Sequence, residues 1–147
     1  MKLTRTLFVV FKLILVILFV YTGMSKLIGH QKFLDQLSQV PVLQSIDLFV
    51  SFAIPILEIV IAFSLAFYKT ELKGWWLSAI LMSLFTLYVA LMIAFADHLP
   101  CSCGGIIAAL NWKHHLLLNA VLAILCWFRL YHFYFIERFS MHTKGVS

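Results

Sequence analysis

Cys101 and Cys103 stand one residue apart in the stretch LPCSCGG, Leu99 to Gly105, of a chain that is otherwise 63% hydrophobic and only 12% charged. Paired thiols this close have a restricted chemistry. A disulfide needs particular torsions and a limited Cα separation, so a Cys-x-Cys ring closes tightly. Tight, exposed disulfides are the labile ones that exchange with other thiols. A structural bridge instead gains stability by closing a long loop, which this pair does not. Gly104 and Gly105 let the backbone turn and allow a second chain to approach, and Pro100 fixes the entry into the loop. The spacing therefore points first to thiol–disulfide exchange with a partner protein. Metal binding is the rival: His98, His114 and His115 add imidazoles to the two thiolates. Against it, Cys-x-Cys departs from the usual zinc spacing, and adjacent histidines on a helix point about 100° apart. Copper(I) held by two thiolates stays open, as do loop cysteines without reactivity.

The elements that position this loop are four apolar runs. They span about Leu7–Ile28, Asp47–Tyr68, Trp75–Ala96 and Trp112–Phe135. Each is long enough to cross a bilayer core of ~30 Å as a helix, which takes about 20 residues. The runs are continuous, not alternating, which excludes a transmembrane barrel. The expected fold is all-α: one four-transmembrane-helix bundle over residues 1–147. The first run is too long for a signal-peptide core and no small-residue cleavage site follows it, so it is expected to stay as an anchor. Between the first two runs, residues 31–40 (QKFLDQLSQV) carry Phe33, Leu34, Leu37 and Val40 at helical spacing. A short amphipathic helix on the outer surface is expected there. Cys126 lies inside the fourth run, where a free cysteine packs as a small hydrophobe.

Basic residues set the orientation. Four spans put both termini on one side. Lys2, Arg5, Lys12, Lys69, Lys73, Arg129, Arg138 and Lys144 fall there, which is eight of the 11 basic residues; Lys26, Lys32 and Lys113 fall opposite. The bias places both termini in the cytoplasm and the cysteine loop outside, in the compartment where disulfides persist. The net charge of +5 thus reflects threading, and there is no basic groove for a nucleic acid.

Glu58 sits midway along the second run, three residues after Pro55. An ionisable residue at that depth is a functional candidate. Its carboxyl must be protonated or paired, with Lys26 or another donor. Tyr21, Ser25, Lys26, Thr86, Tyr88, His115 and Asn119 lie between that depth and the outer face. His115 and Asn119 share a helix face at i, i+4. Together these groups are candidates to line a pocket, the alternative being hydrogen bonds between helices.

The segments YTGMSKL (Tyr21–Leu27), PILEI around Glu58, FTLYVA (Phe85–Ala90), CSCGG, and Trp112, His115 and Asn119 occur in an order and spacing that resembles the MauE/DoxX-like family of redox-associated bacterial membrane proteins. The resemblance covers nearly the whole chain. It implies a four-helix inner-membrane bundle with a thiol pair near the periplasmic face. Its MauE branch is implicated in maturing the disulfide-rich small subunit of methylamine dehydrogenase, and DoxX-type relatives in quinone-coupled sulfur oxidation. Vitamin K epoxide reductase and DsbB are similar in architecture, although the second cysteine pair of a DsbB-like relay has no counterpart among the three cysteines here. On this reading Cys101 and Cys103 cycle between dithiol and disulfide with a thioredoxin-like or secreted periplasmic partner. His98, Lys113 and His114 favour the thiolate, since nearby cations do so. A quinone exchanges electrons from a pocket near Glu58, Tyr88, His115 and Asn119. Two other readings stand beside it: a non-catalytic membrane accessory subunit for maturing a secreted protein, and a copper-handling membrane protein.

The basic bias carries its own test. Reporter fusions at Ser147 and at Gly105 should report a cytoplasmic C-terminus and an external loop. An external C-terminus overturns the orientation and the redox compartment with it.

Overall fold

The computed structural model describes residues 2–38, 40, 43–95 and 112–144, with side chains described for 6–38, 40, 43–94 and 112–135. His98, Pro100, Cys101, Cys103, Gly104 and Gly105 lie outside the described residues. Among the described residues five helices follow one another: α1 (Lys2–Ile28), α2 (His30–Ser38), α3 (Asp47–Ala66), α4 (Glu71–Phe95) and α5 (Trp112–Lys144). Four of them are long and apolar enough to cross a membrane, over Thr6–Ile28, Asp47–Ala66, Glu71–Ala94 and Trp112–Phe135. Among the described residues there is no strand. The molecule is an all-helical, multi-pass membrane bundle.

The helices are apolar around most of their circumference because both a neighbouring helix and the lipid tails are apolar. Leu7, Ile17, Phe49, Phe63, Leu117 and Ile124 are exposed, as residues facing hydrocarbon are. The interior holds Leu15, Phe19, Ile61, Leu65, Ala79 and Cys126, all essentially inaccessible. The Cys126 thiol is free and packs as core filling. Hydroxyls are satisfied within their own helices: the buried Ser78 Oγ donates to the Gly74 carbonyl at 2.7 Å, and the half-buried Ser83 Oγ to that of Ala79 at 2.7 Å.

The bundle is assembled from two helix pairs. α1 packs mainly on α3, α4 mainly on α5, and the contact of α3 with α4 joins the pairs. Gly23 sets the first pairing. A Cβ at this position would stand 3.0 Å from the Pro55 carbonyl oxygen and 3.0 Å from Ile59 Cγ1. Only a residue without a side chain lets α1 come this close. Pro55 is buried inside α3; it has no N–H for the carbonyl of Ser51, one turn back, and its own carbonyl faces α1.

An ion pair reinforces the bundle near each end. Lys12 on α1 meets Glu71 on α4 at 3.1 Å, and Glu71 also accepts from Trp75 Nε1 at 3.2 Å. The Arg129 guanidinium lies nearby over the rings of Phe8, Trp75 and Phe133, 5.0 to 5.7 Å from their centroids. At the other end Lys26 on α1 meets Glu58 on α3 at 2.6 Å. Glu71 explains why α4 starts four residues before the expected Trp75. Its charge suits the positive end of the helix and is neutralised across the bundle. The preceding turn is closed by Thr70 Oγ1 donating to the Ser64 carbonyl at 2.9 Å, so α3 stops at Ala66, short of the expected Tyr68. α5 runs past its apolar stretch to Lys144.

α2 is the expected amphipathic helix. It buries Phe33, Gln36 and Leu37 and is fastened to α3 by His30 Nε2 and Ser51 Oγ at 3.0 Å. The serine hydroxyl donates to the Leu48 carbonyl, so the imidazole is the donor in this contact. His30 also stacks on Phe52, centroids 4.1 Å apart.

Overfilling the α1–α3 contact should be costly because a backbone carbonyl cannot rotate away. Gly23→Leu is expected to lower unfolding stability in mixed micelles by about 1–3 kcal/mol. An unchanged denaturation midpoint would show that the two helices are not held at this separation.

Candidate functional site

Lys26 stands at the centre of the site. It is in the last turn of α1, and its side chain is only 19% exposed. A lysine there can extend toward the membrane surface, which is the easier course for an unpaired cation. Here it turns inward instead. Its ammonium donates to Glu58 Oε1 at 2.6 Å and lies 5.5 Å from the centroid of Phe85 and 5.8 Å from that of Phe33. The carboxylate neutralises it, and the two ring faces supply the cation–π attraction that strengthens where water is excluded.

Glu58 is 1% exposed. Its second oxygen, Oε2, is buried with no hydrogen-bond partner among the described residues. Thr22 is near the carboxyl, but its hydroxyl bonds to the carbonyls of Leu18 and Phe19 one turn back on α1. A buried carboxylate oxygen without a donor costs free energy, and such an atom marks a place for a ligand or a proton.

That carboxyl opens onto a cavity of about 370 Å³ to which all five helices contribute. Its walls are mostly apolar: Leu18, Phe33, Leu37, Ile54, Leu81, Phe85 and Leu118 among others. Its polar groups are few: Thr22, Ser25 and Lys26 from α1, Gln36 from α2, Glu58 from α3, Tyr88 from α4, and His115 and Asn119 from α5. A small cavity of this kind, greasy with a few convergent polar groups, is how binding sites for small molecules are built.

The structure thus brings Glu58, Tyr88, His115 and Asn119 to one cavity, together with Ser25 and Lys26. His115 and Asn119 enter side by side, as their i, i+4 spacing requires. Tyr21 and Thr86 are not among the cavity's walls. Tyr21 lies on the outward side of α1 and is 39% exposed, while the Thr86 hydroxyl turns back to the Met82 carbonyl at 2.7 Å. Lys113 and His114 are exposed at the start of α5. His98, Cys101 and Cys103 lie outside the described residues, so their relation to the cavity is not part of this geometry. Among the described residues no three His, Cys, Asp or Glu side chains converge to hold a metal ion.

Several of the cavity's walls were not among the pocket candidates that the sequence offered. Gln36 is three residues after Phe33, hence on the buried face of α2, and the spacing alone could have placed it. Trp112 lines the cavity from the first turn of α5. The rings of Phe33 and Phe85 are two of 14 phenylalanines, and nothing in their spacing distinguishes them from rings facing lipid.

Comparison with known proteins gives one result. A family model described as methylamine utilisation protein MauE matches residues 4–132. No curated protein and no solved structure matches the chain.

The pair at the centre of the site makes a double-mutant prediction. Lys26→Met strands a buried carboxylate and should cost about 3–5 kcal/mol of unfolding stability. Combining it with Glu58→Leu should recover most of that loss. A single variant no less stable than the double one would show that the two groups are not coupled.

Proposed function

This chain belongs to the MauE family of membrane proteins, and from that premise we propose that it is an inner-membrane thiol–disulfide redox protein that serves the maturation of a secreted, disulfide-containing protein, as in methylamine utilisation. Cys101 and Cys103 are its working thiols, exposed to the periplasm. The observation that carries the reading is the cavity. It gathers Lys26 of α1, Glu58 of α3, Tyr88 of α4 and His115 and Asn119 of α5, and α4 and α5 are the two helices joined by the sequence that holds the cysteine pair. Trp112, the first residue of α5, lines it.

The exchange conserves thiols. A thiolate of one protein attacks a sulfur of the other's disulfide, and a mixed disulfide forms as the departing sulfur leaves as thiolate. The neighbouring thiol of the attacking pair then closes its own disulfide and frees the partner as a dithiol. Two electrons and two protons pass from one protein to the other.

The residues of the cavity fit a quinone. Its flat ring matches a space walled by Phe33 and Phe85, and about 370 Å³ lies within the range of small-molecule pockets. A bound quinone supplies a two-electron, two-proton couple soluble in the membrane. The chain's own groups do the rest. The Lys26 ammonium and the Asn119 amide are donors for carbonyl oxygens. Glu58 Oε2, buried without a donor, accepts from a hydroxyl and holds a proton there. Lys26 holds Oε1 and leaves Oε2 as the carboxyl's remaining acceptor. The apolar walls exclude water from these groups.

Two measurements test the reading. Mass-shift alkylation before and after mild reductant should show Cys101 and Cys103 gaining two thiols, and Cys103→Ala or Cys101→Ala should trap a mixed disulfide with a periplasmic protein. A pair that stays reduced in cells overturns the exchange. Glu58→Gln keeps the side-chain shape and removes the charge. It should abolish quinone-dependent turnover while exchange with small thiols continues; turnover at the wild-type rate would leave Glu58 a packing residue.

A further inference from the structure

A second cavity, of about 500 Å³, lies beside the first between α1 and α2. The two share Ser25, Lys26, Phe33 and Gln36, and these side chains form the partition between them. The rest of the second cavity is lined by Val20, Tyr21, Met24, Ile28, Gly29 and Lys32. Val20, Met24 and Ile28 contribute the outward face of α1, where they are 42%, 45% and 83% exposed. These positions belong to the span Thr6–Ile28, so in a membrane this groove is bathed by hydrocarbon. Gly29 forms the turn into α2 and lines the groove, presenting backbone where any other residue would place a side chain.

The first cavity, mostly apolar with a few convergent polar groups, thus adjoins a groove that opens on the lipid-facing side of α1. We propose that this groove takes the hydrocarbon tail of the ring ligand, so that the site binds a long-tailed quinone entering sideways from the bilayer between α1 and α2. The assignment rests on the quinone reading of the inner cavity. The partition suits a tail crossing it: Phe33 contributes a ring and Lys26 a methylene stem, its ammonium being turned away to Glu58. A phospholipid fits less well. Its phosphate needs free cations, and of the two lysines lining the groove, Lys26 is already neutralised by Glu58, which leaves Lys32 alone to meet it.

Met24 and Val20 line the groove and not the inner cavity, so Met24→Trp and Val20→Trp fill it without touching the ring site. The full-length protein in phosphatidylcholine nanodiscs is titrated with a tailless dimethoxy-methyl benzoquinone and with its decyl-tailed counterpart. In the wild type the tail should tighten binding about ten-fold. In either variant that gain should vanish while tailless binding holds. Should both variants keep the gain, or lose affinity for both compounds alike, the groove assignment is wrong. It is also wrong if native mass spectrometry finds a phospholipid that the variants expel without loss of the gain. Equal binding of the two compounds to the wild type removes the groove alone. Binding of neither removes the quinone reading of the cavity on which it rests.

Discussion

One buried ion pair sets the terms for the half of this molecule that holds the cavity. A carboxylate at the depth of Glu58 costs several kcal/mol to bury alone, and Lys26 is the group that meets it, at 2.6 Å. For the two to meet, α1 and α3 must lie close, and Gly23 against the Pro55 carbonyl lets them do so. The ammonium must also be kept from reaching outward to water. Phe33 and Phe85 hold it with their ring faces, and Phe33 is there only because α2 folds back over the end of the bundle. The pair is therefore less a source of stability than a specification: a particular pair of helices, at a particular rotation, beneath a particular roof. Replacing buried ion pairs with apolar residues is often neutral or stabilising, so its presence here is better explained by the site than by the fold.

The opposite end solves a similar problem with looser means. Lys12 and Glu71 are each about a quarter exposed, and the Arg129 guanidinium rests on three rings. These contacts tie α1 to the α4–α5 pair, whereas Lys26 and Glu58 tie α1 to α3. The first helix is thus bound by charge to both halves of the bundle, and the cavity lies where those halves part.

The architecture was legible in the sequence because apolar run length is a strong signal and the lipid face demands it. The buried polar groups were legible for the complementary reason: Glu58, His115 and Asn119 are conspicuous in hydrocarbon, and a helical repeat relates the last two. Direction was harder to read. Nothing in the sequence says that the Thr86 hydroxyl will satisfy itself on Met82 or that Tyr21 will face outward, because a span that is apolar all round has no polar stripe to fix its rotation. Partners were hardest. Glu71 fell outside the expected third span, so its pairing with Lys12 was invisible, and the role of Gly23 exists only once α3 is beside it. The cysteine pair was read from its own spacing.

The length of α5 has a mechanical consequence. At 1.5 Å per residue, its 33 residues reach about 50 Å, against a hydrocarbon core of about 30 Å. The residues beyond Phe135 continue the same helix out of the apolar zone, and their sequence, IERFSMHTK, carries Glu137, Arg138 and Lys144. Drawing such residues into hydrocarbon is costly, so the bundle cannot sink toward its cavity side. The overhang works as a depth stop. It fixes the height at which Glu58 rides in the bilayer.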